Sequence, residues 1–528
     1  VHHSSIQDAV FGDQPVNLTE TVYLIRAAAN DDRIERVVVR AGGIASVGWG
    51  KAEEIRNALL AVRAAGKPVE VHMDATLDLP YYISTAASKI VLAPAGMLLV
   101  DGMYAEIQFL KNLFGKADIE WEAVTAGKYK SYPETYIKDS MSEPYREQID
   151  ALLDARYEAY LEAIAEARGM TYAEADEVVS AGPYTIATEA LEAGLVDELL
   201  FWSDYERLLD IHEEGETMSF GLEEYRDAGA LDPGFASEGV AVVFITGDIM
   251  PGPSESGYTR VAGSETITES ILRAADDDRI TAIVLRVSSP GGSVMASDEI
   301  WRAVESAKLQ KPVVVSMGDV AASGGYWVSA GADAILADRS TVTGSIGVFA
   351  LKPTWAGLYE KIGIHVEEFT RGENAGTFRS SDKWSESERA AIQRGIDHSY
   401  DEFLTRVSLG RNIAVADVDE IAGGRVWSGG DAYDLGLVDR IGGVKEAVSL
   451  ALELAELDPE EAVRLHFYPE ERTFWQKLRD GDFLIRESFT SELKTMLAEY
   501  GIPAPAAWQA RSAAREFWAV LPFREVGE

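Results

Sequence analysis

Short runs of β-branched and aliphatic residues alternate along this chain with stretches in which apolar positions recur every three or four residues. VVVR at 37–40 and IVLRV at 283–287 read as buried strands, and each leads into an amphipathic helical pattern, AEEIRNALLAVRAAG at 52–66 and SDEIWRAVESAKL at 297–309. PVEVHM at 68–73 and PVVVSM at 312–317 return to strand character, and a further helix then precedes a short strand, KIVLA at 89–93 and AILAD at 334–338. Long helical stretches follow at 142–169 and 385–411; Ser142 with Pro144 marks the first start, and a Ser385–Glu388 capping box marks the second. Strands alternating with helices predict an α/β layered fold.

The two series are copies of each other. DDRIERVVVRAGG at 31–43 matches DDRITAIVLRVSS at 277–289, and YISTAASKIVLAP at 82–94 matches WVSAGADAILADR at 327–339. IEWEAVTAG at 119–127 matches IHVEEFTRG at 364–372, where IHVEEF is a predicted strand, and AGLVDELL at 193–200 matches LGLVDRIG at 435–442. The register shift stays at about 245 residues, which predicts a tandem duplication. We divide the chain into an N-terminal repeat, 1–201, a polar connector, 202–238, a C-terminal repeat, 239–450, and an unrepeated extension, 451–528, expected to serve as an oligomer contact. The strand GVAVVFITGDI at 239–249 would have its counterpart before Val1, so the first repeat is expected to lack its opening strand and the natural protein to continue upstream.

With 528 residues and 47% apolar content, the chain is long enough for more than one core. Its 48 basic and 88 acidic residues give a net charge of -40, which disfavours nucleic acid as a partner. The absence of cysteine excludes disulfides, thiolate catalysis and thiolate metal sites. No apolar run is long enough to span a bilayer, and no signal peptide opens the chain.

Candidate chemistry begins at GDVAASGGYW, 318–327, where Ser323 follows a strand and opens a helix. Attack by its hydroxyl would build an oxyanion facing the Gly324 N–H at a helix N-terminus; the competing reading is an ordinary capping serine. A second glycine turn, SSPGGSVMAS at 288–297, also joins a strand to a helix, so Gly291 or Gly292 can supply another N–H donor. The turn lacks the GK[ST] ending of a phosphate loop.

A serine nucleophile needs a base. The seven histidines include none on the elements that immediately follow Ser323; His365 and His398 read as structural. A lysine can serve if burial keeps its amine neutral. The duplication nominates one: position 323 corresponds to Asp78 in the first repeat, and Lys130 corresponds to Ala375 in the second. Each repeat keeps one member of a Ser/Lys pair, which would meet across a shared groove. Lys128 is a second candidate, since alternation in an extended segment would put both lysines on one face.

SPGGS at 289–293, AASGGYW at 321–327, TGSIGV at 343–348 and YKS at 129–131, in a doubled chain, resemble the long form of the signal peptide peptidase A (protease IV) family. The resemblance implies a tandem duplication of a crotonase- or Clp-protease-like αβ domain. It implies a serine protease with a Ser/Lys dyad that degrades cleaved signal peptides and other apolar peptides, with no metal or nucleotide cofactor. By motif, Ser323 would be the nucleophile, Lys130 the general base, Gly324 with Gly291 or Gly292 the oxyanion hole, and Ser345 the residue positioning the amine. The family also implies a homotetramer and a single-pass N-terminal anchor in the inner membrane, absent from this chain, with the catalytic body on the periplasmic or extracytoplasmic side. Two rivals share the fold: a crotonase-like acyl-CoA enzyme, which would leave Ser323 dispensable, and a non-catalytic membrane-associated scaffold.

Overall fold

A computed structural model describes residues 16–41, 47–209, 219–232, 234, 238–255, 260–460, 462–469 and 518–520. Each repeat forms its own layered α/β unit. In the first, four parallel strands lie in the order Val37–Arg40, Val69–Leu77, Lys89–Leu99 and Glu198–Leu199. The main sheet of the second runs Val426–Ser428, Val342–Gly344, Val313–Ala322, Ile280–Ser289, Gly239–Thr246 and Arg464–Tyr468, antiparallel only between the first two. Its central strands are covered on both faces, which is why they read as continuous apolar runs rather than alternating ones. Among the described residues, the first sheet has no strand in the place that Gly239–Thr246 takes in the second.

The long helices Glu143–Arg168 and Glu386–Arg411 begin at Ser142 and Ser385, whose side chains accept from backbone N–H groups, and end at left-handed Gly169 and Asn412. Residues 202–238 are not a bare polar connector. They contain the helices Trp202–Leu208 and Leu222–Asp227, whose buried Tyr205 and Tyr225 donate hydroxyl hydrogen bonds to Glu70 and Asp31 of the first repeat, at 2.6 and 2.9 Å. The helix Val444–Leu454 runs through position 450, and Arg464–Tyr468 then adds an edge strand to the second sheet. Apart from 518–520, the expected oligomer contact beyond residue 469 lies outside the described residues.

Three kinds of contact lock the repeats together. Glu120–Ala126 of the first pairs antiparallel with Val348–Thr354 of the second. Glu54 forms a buried ion pair with Arg286, whose guanidinium also donates to Ser316 Oγ at 2.7 Å and Met317 O at 3.1 Å. Asp319 accepts from Gly48 N and Lys51 N at the start of the helix Trp49–Ala64 and pairs with Lys51 Nζ at 2.8 Å. Buried charge is tolerated only when paired and hydrogen-bonded, so the joint is set by geometry as well as by apolar contact. The predicted strand IHVEEF is absent: residues 364–370 have no strand pairing and are exposed.

Candidate active site

Ser323 stands where the strand Val313–Ala322 gives way to the helix Gly324–Ala330. Its φ of +56° and ψ of -117° are strained for a residue with a Cβ, at a cost of about 1–3 kcal/mol. Hydrogen bonds on both sides hold it there: Ser323 N donates to Gly344 O, and Trp327 N donates to Ser323 O, each at 2.8 Å. The side chain makes no capping hydrogen bond, which removes the reading of Ser323 as an ordinary cap. The adjacent glycines are demanded by space. A Cβ on Gly324 would lie 2.6 Å from Ser297 Oγ and 3.0 Å from Gly292 N, and one on Gly325 would lie 2.7 Å from Ser289 O. The turn at Pro290-Gly291-Gly292 is thereby brought beside the serine. Gly291 has φ of +105°, and its N–H is already donated to Ser289 Oγ at 3.1 Å.

Lys130 arrives from the other repeat. Its Nζ lies 2.6 Å from Ser323 Oγ and 3.0 Å from both the carbonyl oxygen and Oγ of Ser345. Ser323, Lys130 and Ser345 are all buried, and burial pushes the Lys130 amine well below the usual lysine value. A neutral amine has two N–H donors and one lone pair. With Ser345 O and Oγ accepting the two N–H bonds, the lone pair is left for the Ser323 hydroxyl. Ser345, at φ of +51°, is itself held by its N–H donating to Arg425 O at 2.7 Å.

Lys128 is exposed, with its ammonium 4.8 Å from the centre of the Tyr129 ring. The expected alternation fails because residues 127–130 turn, with Lys130 N donating to Gly127 O, rather than extend. His365 and His398 are exposed.

The lysine loop is held by groups that sequence reading did not find. Gln148, fully buried on the helix Glu143–Arg168, donates from Nε2 to Tyr129 O at 3.2 Å and Ser131 Oγ at 3.1 Å, while its Oε1 accepts from Val426 N at 3.2 Å. Tyr129 N donates to Gly423 O at 2.8 Å, and Arg425 contacts both the Tyr129 hydroxyl and Glu147. Leu152 of the same helix packs with Ala322, next to the serine, and with Val342 and Val426. The only sequence signal for these contacts is the glycine content of 127 and 423–424, whose purpose is visible only once two backbones touch.

Between Gly291–Ser293 and Val348–Thr354 runs a groove one strand wide. The strand Trp518–Val520 occupies it, antiparallel to both: Gly291 stands opposite Val520, Gly292 opposite Ala519, and both Ser293 and Phe349 opposite Trp518. The site therefore presents a nucleophile, a buried amine, backbone donors and a berth for an extended chain.

Residues 61–214 and 305–458 each match the sequence profile of Peptidase family S49, and residues 257–341 match that of Clp protease. The chain belongs to peptidase family S49. It is 32% identical over 463 residues to Protease 4 of Haemophilus influenzae, covering 85% of this chain and 75% of that protein. To Protease 4 of Salmonella typhi it is 32% identical over 512 residues, covering 93% and 79% respectively. To the chloroplastic serine protease SPPA of Arabidopsis thaliana it is 31% identical over 448 residues, covering 83% of this chain and 66% of that protein. The S49 chain is thus a serine protease made of two Clp-like α/β units in tandem.

Proposed function

We propose that this chain is an endopeptidase with a Ser323/Lys130 dyad that degrades cleaved signal peptides and other apolar peptides at a membrane. The observation that carries the dyad is the 2.6 Å separation of Lys130 Nζ and Ser323 Oγ inside a site from which bulk water is excluded. The neutral amine takes the Ser323 hydroxyl proton as Oγ bonds to the peptide carbonyl carbon. The oxyanion is met by the N–H of Gly324 and by one from the Gly291–Gly292 turn. As the C–N bond breaks, the Lys130 ammonium returns a proton to the leaving amine. Water then attacks the acyl ester, with the same amine accepting its proton, and Ser323 is regenerated.

The substrate would bind as an added strand between Gly291–Ser293 and Val348–Thr354, where Trp518–Val520 already adopts that pairing. A relative in Enterococcus faecium, 33% identical over 222 residues, carries the name putative signal peptide peptidase SppA, which favours the same substrate class here. No helix among the described residues is long and apolar enough to cross a membrane. On this reading, attachment to the inner membrane with the body on the extracytoplasmic side, and assembly as a homotetramer, are properties of the full-length protein.

The test compares wild type, Ser323→Ala and Lys130→Ala on an apolar peptide ester. Loss of turnover in both variants, with folding preserved by circular dichroism, is expected. A Lys130→Ala protein with near-normal rate would remove the lysine from the mechanism, and a Ser323→Ala protein with near-normal rate would return the crotonase-like alternative.

A further inference from the structure

Each repeat gives one strand to the antiparallel pair that joins them, Glu120–Ala126 from the first and Val348–Thr354 from the second. Duplication supplies a second version of both segments. A shift of about 245 residues carries Val348–Thr354 onto 103–109 and Glu120–Ala126 onto 365–371. The correspondence is legible in the residues: GMYA at 102–105 against GVFA at 347–350, and KNLFGK at 111–116 against AGLYEK at 356–361. Yet neither of these second versions lies in a strand. Residues 364–371 are exposed throughout, with Phe369 at 86%, Ile364 at 48% and Val366 at 42%, and in the other segment Tyr104 is 83% exposed.

This arrangement is informative about symmetry. Had the repeats closed on each other around a two-fold axis, 103–109 and 365–371 would pair within the chain as their counterparts do. They do not, so the internal contact is head-to-tail, and it leaves one unmatched segment on each repeat. A head-to-tail contact can be repeated from chain to chain until a ring closes.

We infer that residues 103–109 of one copy pair antiparallel with residues 365–371 of the next, in the register of the internal pair. Met103 then stands opposite Arg371, Tyr104 opposite Thr370, Ala105 opposite Phe369 and Phe109 opposite His365. The flanking helices Lys111–Lys116 and Ala356–Lys361 already meet inside the chain, where Lys361 Nζ donates to Lys116 O at 2.7 Å and pairs with Asp118 at 3.0 Å. Leu113 and Ile362, each 59% exposed, lie on and beside these helices and would be partly covered at the junction. The junction also repeats the layout of the catalytic groove, but with Asp78 in the place of Ser323 and Ala375 in the place of Lys130. Junctions between copies are therefore inert, and a ring carries one competent groove per chain.

The inference rests on the homo-oligomer of the proposed function and specifies its contact. The chain contains no cysteine, so introduced thiols report without background. Opposed residues of an antiparallel pair have Cα atoms about 4.5–5.5 Å apart, within the span a disulfide bridges. Tyr104→Cys and Thr370→Cys chains, distinguishable by a size tag, are expressed separately and together and then oxidised, while native mass is measured on wild type. A disulfide-linked dimer is expected only on co-expression, and a chain carrying both substitutions should give a ladder ending at the native copy number. An oligomeric wild type with no such dimer overturns the pairing and leaves the homo-oligomer standing. A dimer from Tyr104→Cys alone would mean a two-fold contact and also overturns the pairing, whereas a monomeric wild type overturns both readings. Peptide hydrolysis by the same preparations reports separately on the protease.

Discussion

Replacing Gly424 with alanine should disable the site without touching either reacting residue. Gly424 has φ of +83°, and a Cβ there would stand 2.6 Å from Lys130 N and 2.7 Å from Lys130 Cα and Cβ. Carbon atoms pack at about 3.5–4.0 Å, so the lysine backbone would have to retreat by about 1 Å. That displacement would carry Nζ from 2.6 Å to beyond hydrogen-bond reach of Ser323 Oγ. A misplacement of about 1 Å in a catalytic group costs on the order of 100-fold in rate. Gly423 supplies the control, because it has φ of +63° but a Cβ there finds its nearest neighbours at 3.9 Å. Both alanine variants bear the left-handed backbone strain of about 1–2 kcal/mol, and only Gly424→Ala moves the lysine. Thermal unfolding should show similar losses of stability for the pair, while kcat/KM on a peptide ester falls about 100-fold for Gly424→Ala alone. Equal rates for the two variants, within about threefold, would refute the claim that this glycine sets the position of the base.

Two further outcomes follow from the same geometry. The rate should rise with pH and level off below the ordinary lysine value of about 10.4, because the neutral amine is the base and burial lowers its pKa. The unfolded chain binds the proton that the folded Lys130 refuses, so stability contributed by this residue falls as pH drops from the ordinary value towards the lowered one. A pH–rate profile flat across that range in wild type would speak against the lysine base, and Lys130→Met should remove the pH dependence of stability assigned to it. Gln148→Leu should leave Val426 N–H and Tyr129 O without their partner, lowering stability by about 1–3 kcal/mol. Its kcat should fall with KM little changed, and Gln148→Glu, which keeps the acceptor for Val426 N–H, should restore part of the loss; a variant with lower stability but unaltered kcat would make Gln148 structural only.

The duplication made much of this site readable, because comparing the repeats isolates the positions where they differ. Ser323 stood out against Asp78 and Lys130 against Ala375, and the model brings the pair to 2.6 Å. Three things stayed hidden for physical reasons. The preference for Lys130 over Lys128 depends on a turn at 127–130, whose cause is the close approach of Gly423 and Gly424 from nearly three hundred residues away. Gln148 looks like any polar residue on a long helix until the backbone it bridges is known. IHVEEF has the composition of a strand, but a strand needs a partner, and this one has none among the described residues. Tyr205 and Tyr225 were missed because their burial depends on Glu70 and Asp31, distant in sequence, rather than on the polar residues around them.

The placement of base and nucleophile on different repeats turns the catalytic distance into a property of the joint between them. Every group that fixes the Lys130 loop from outside its own repeat comes from the second: Gly423 O, Arg425, Val426 N and Ser345. The same joint contains the buried Glu54–Arg286 pair and the Asp319 cap, and Asp319 lies on the strand that ends at Ser323. Were the two units separate chains, formation of the dyad would depend on their concentration and affinity. Fusion replaces that equilibrium with a fixed local concentration, so each unit can lose the residue that its neighbour provides without loss of a working site. The price is the matching groove, where Asp78 and Ala375 leave neither nucleophile nor base, and the geometry of the duplicated chain puts that empty groove at the boundary with the next copy.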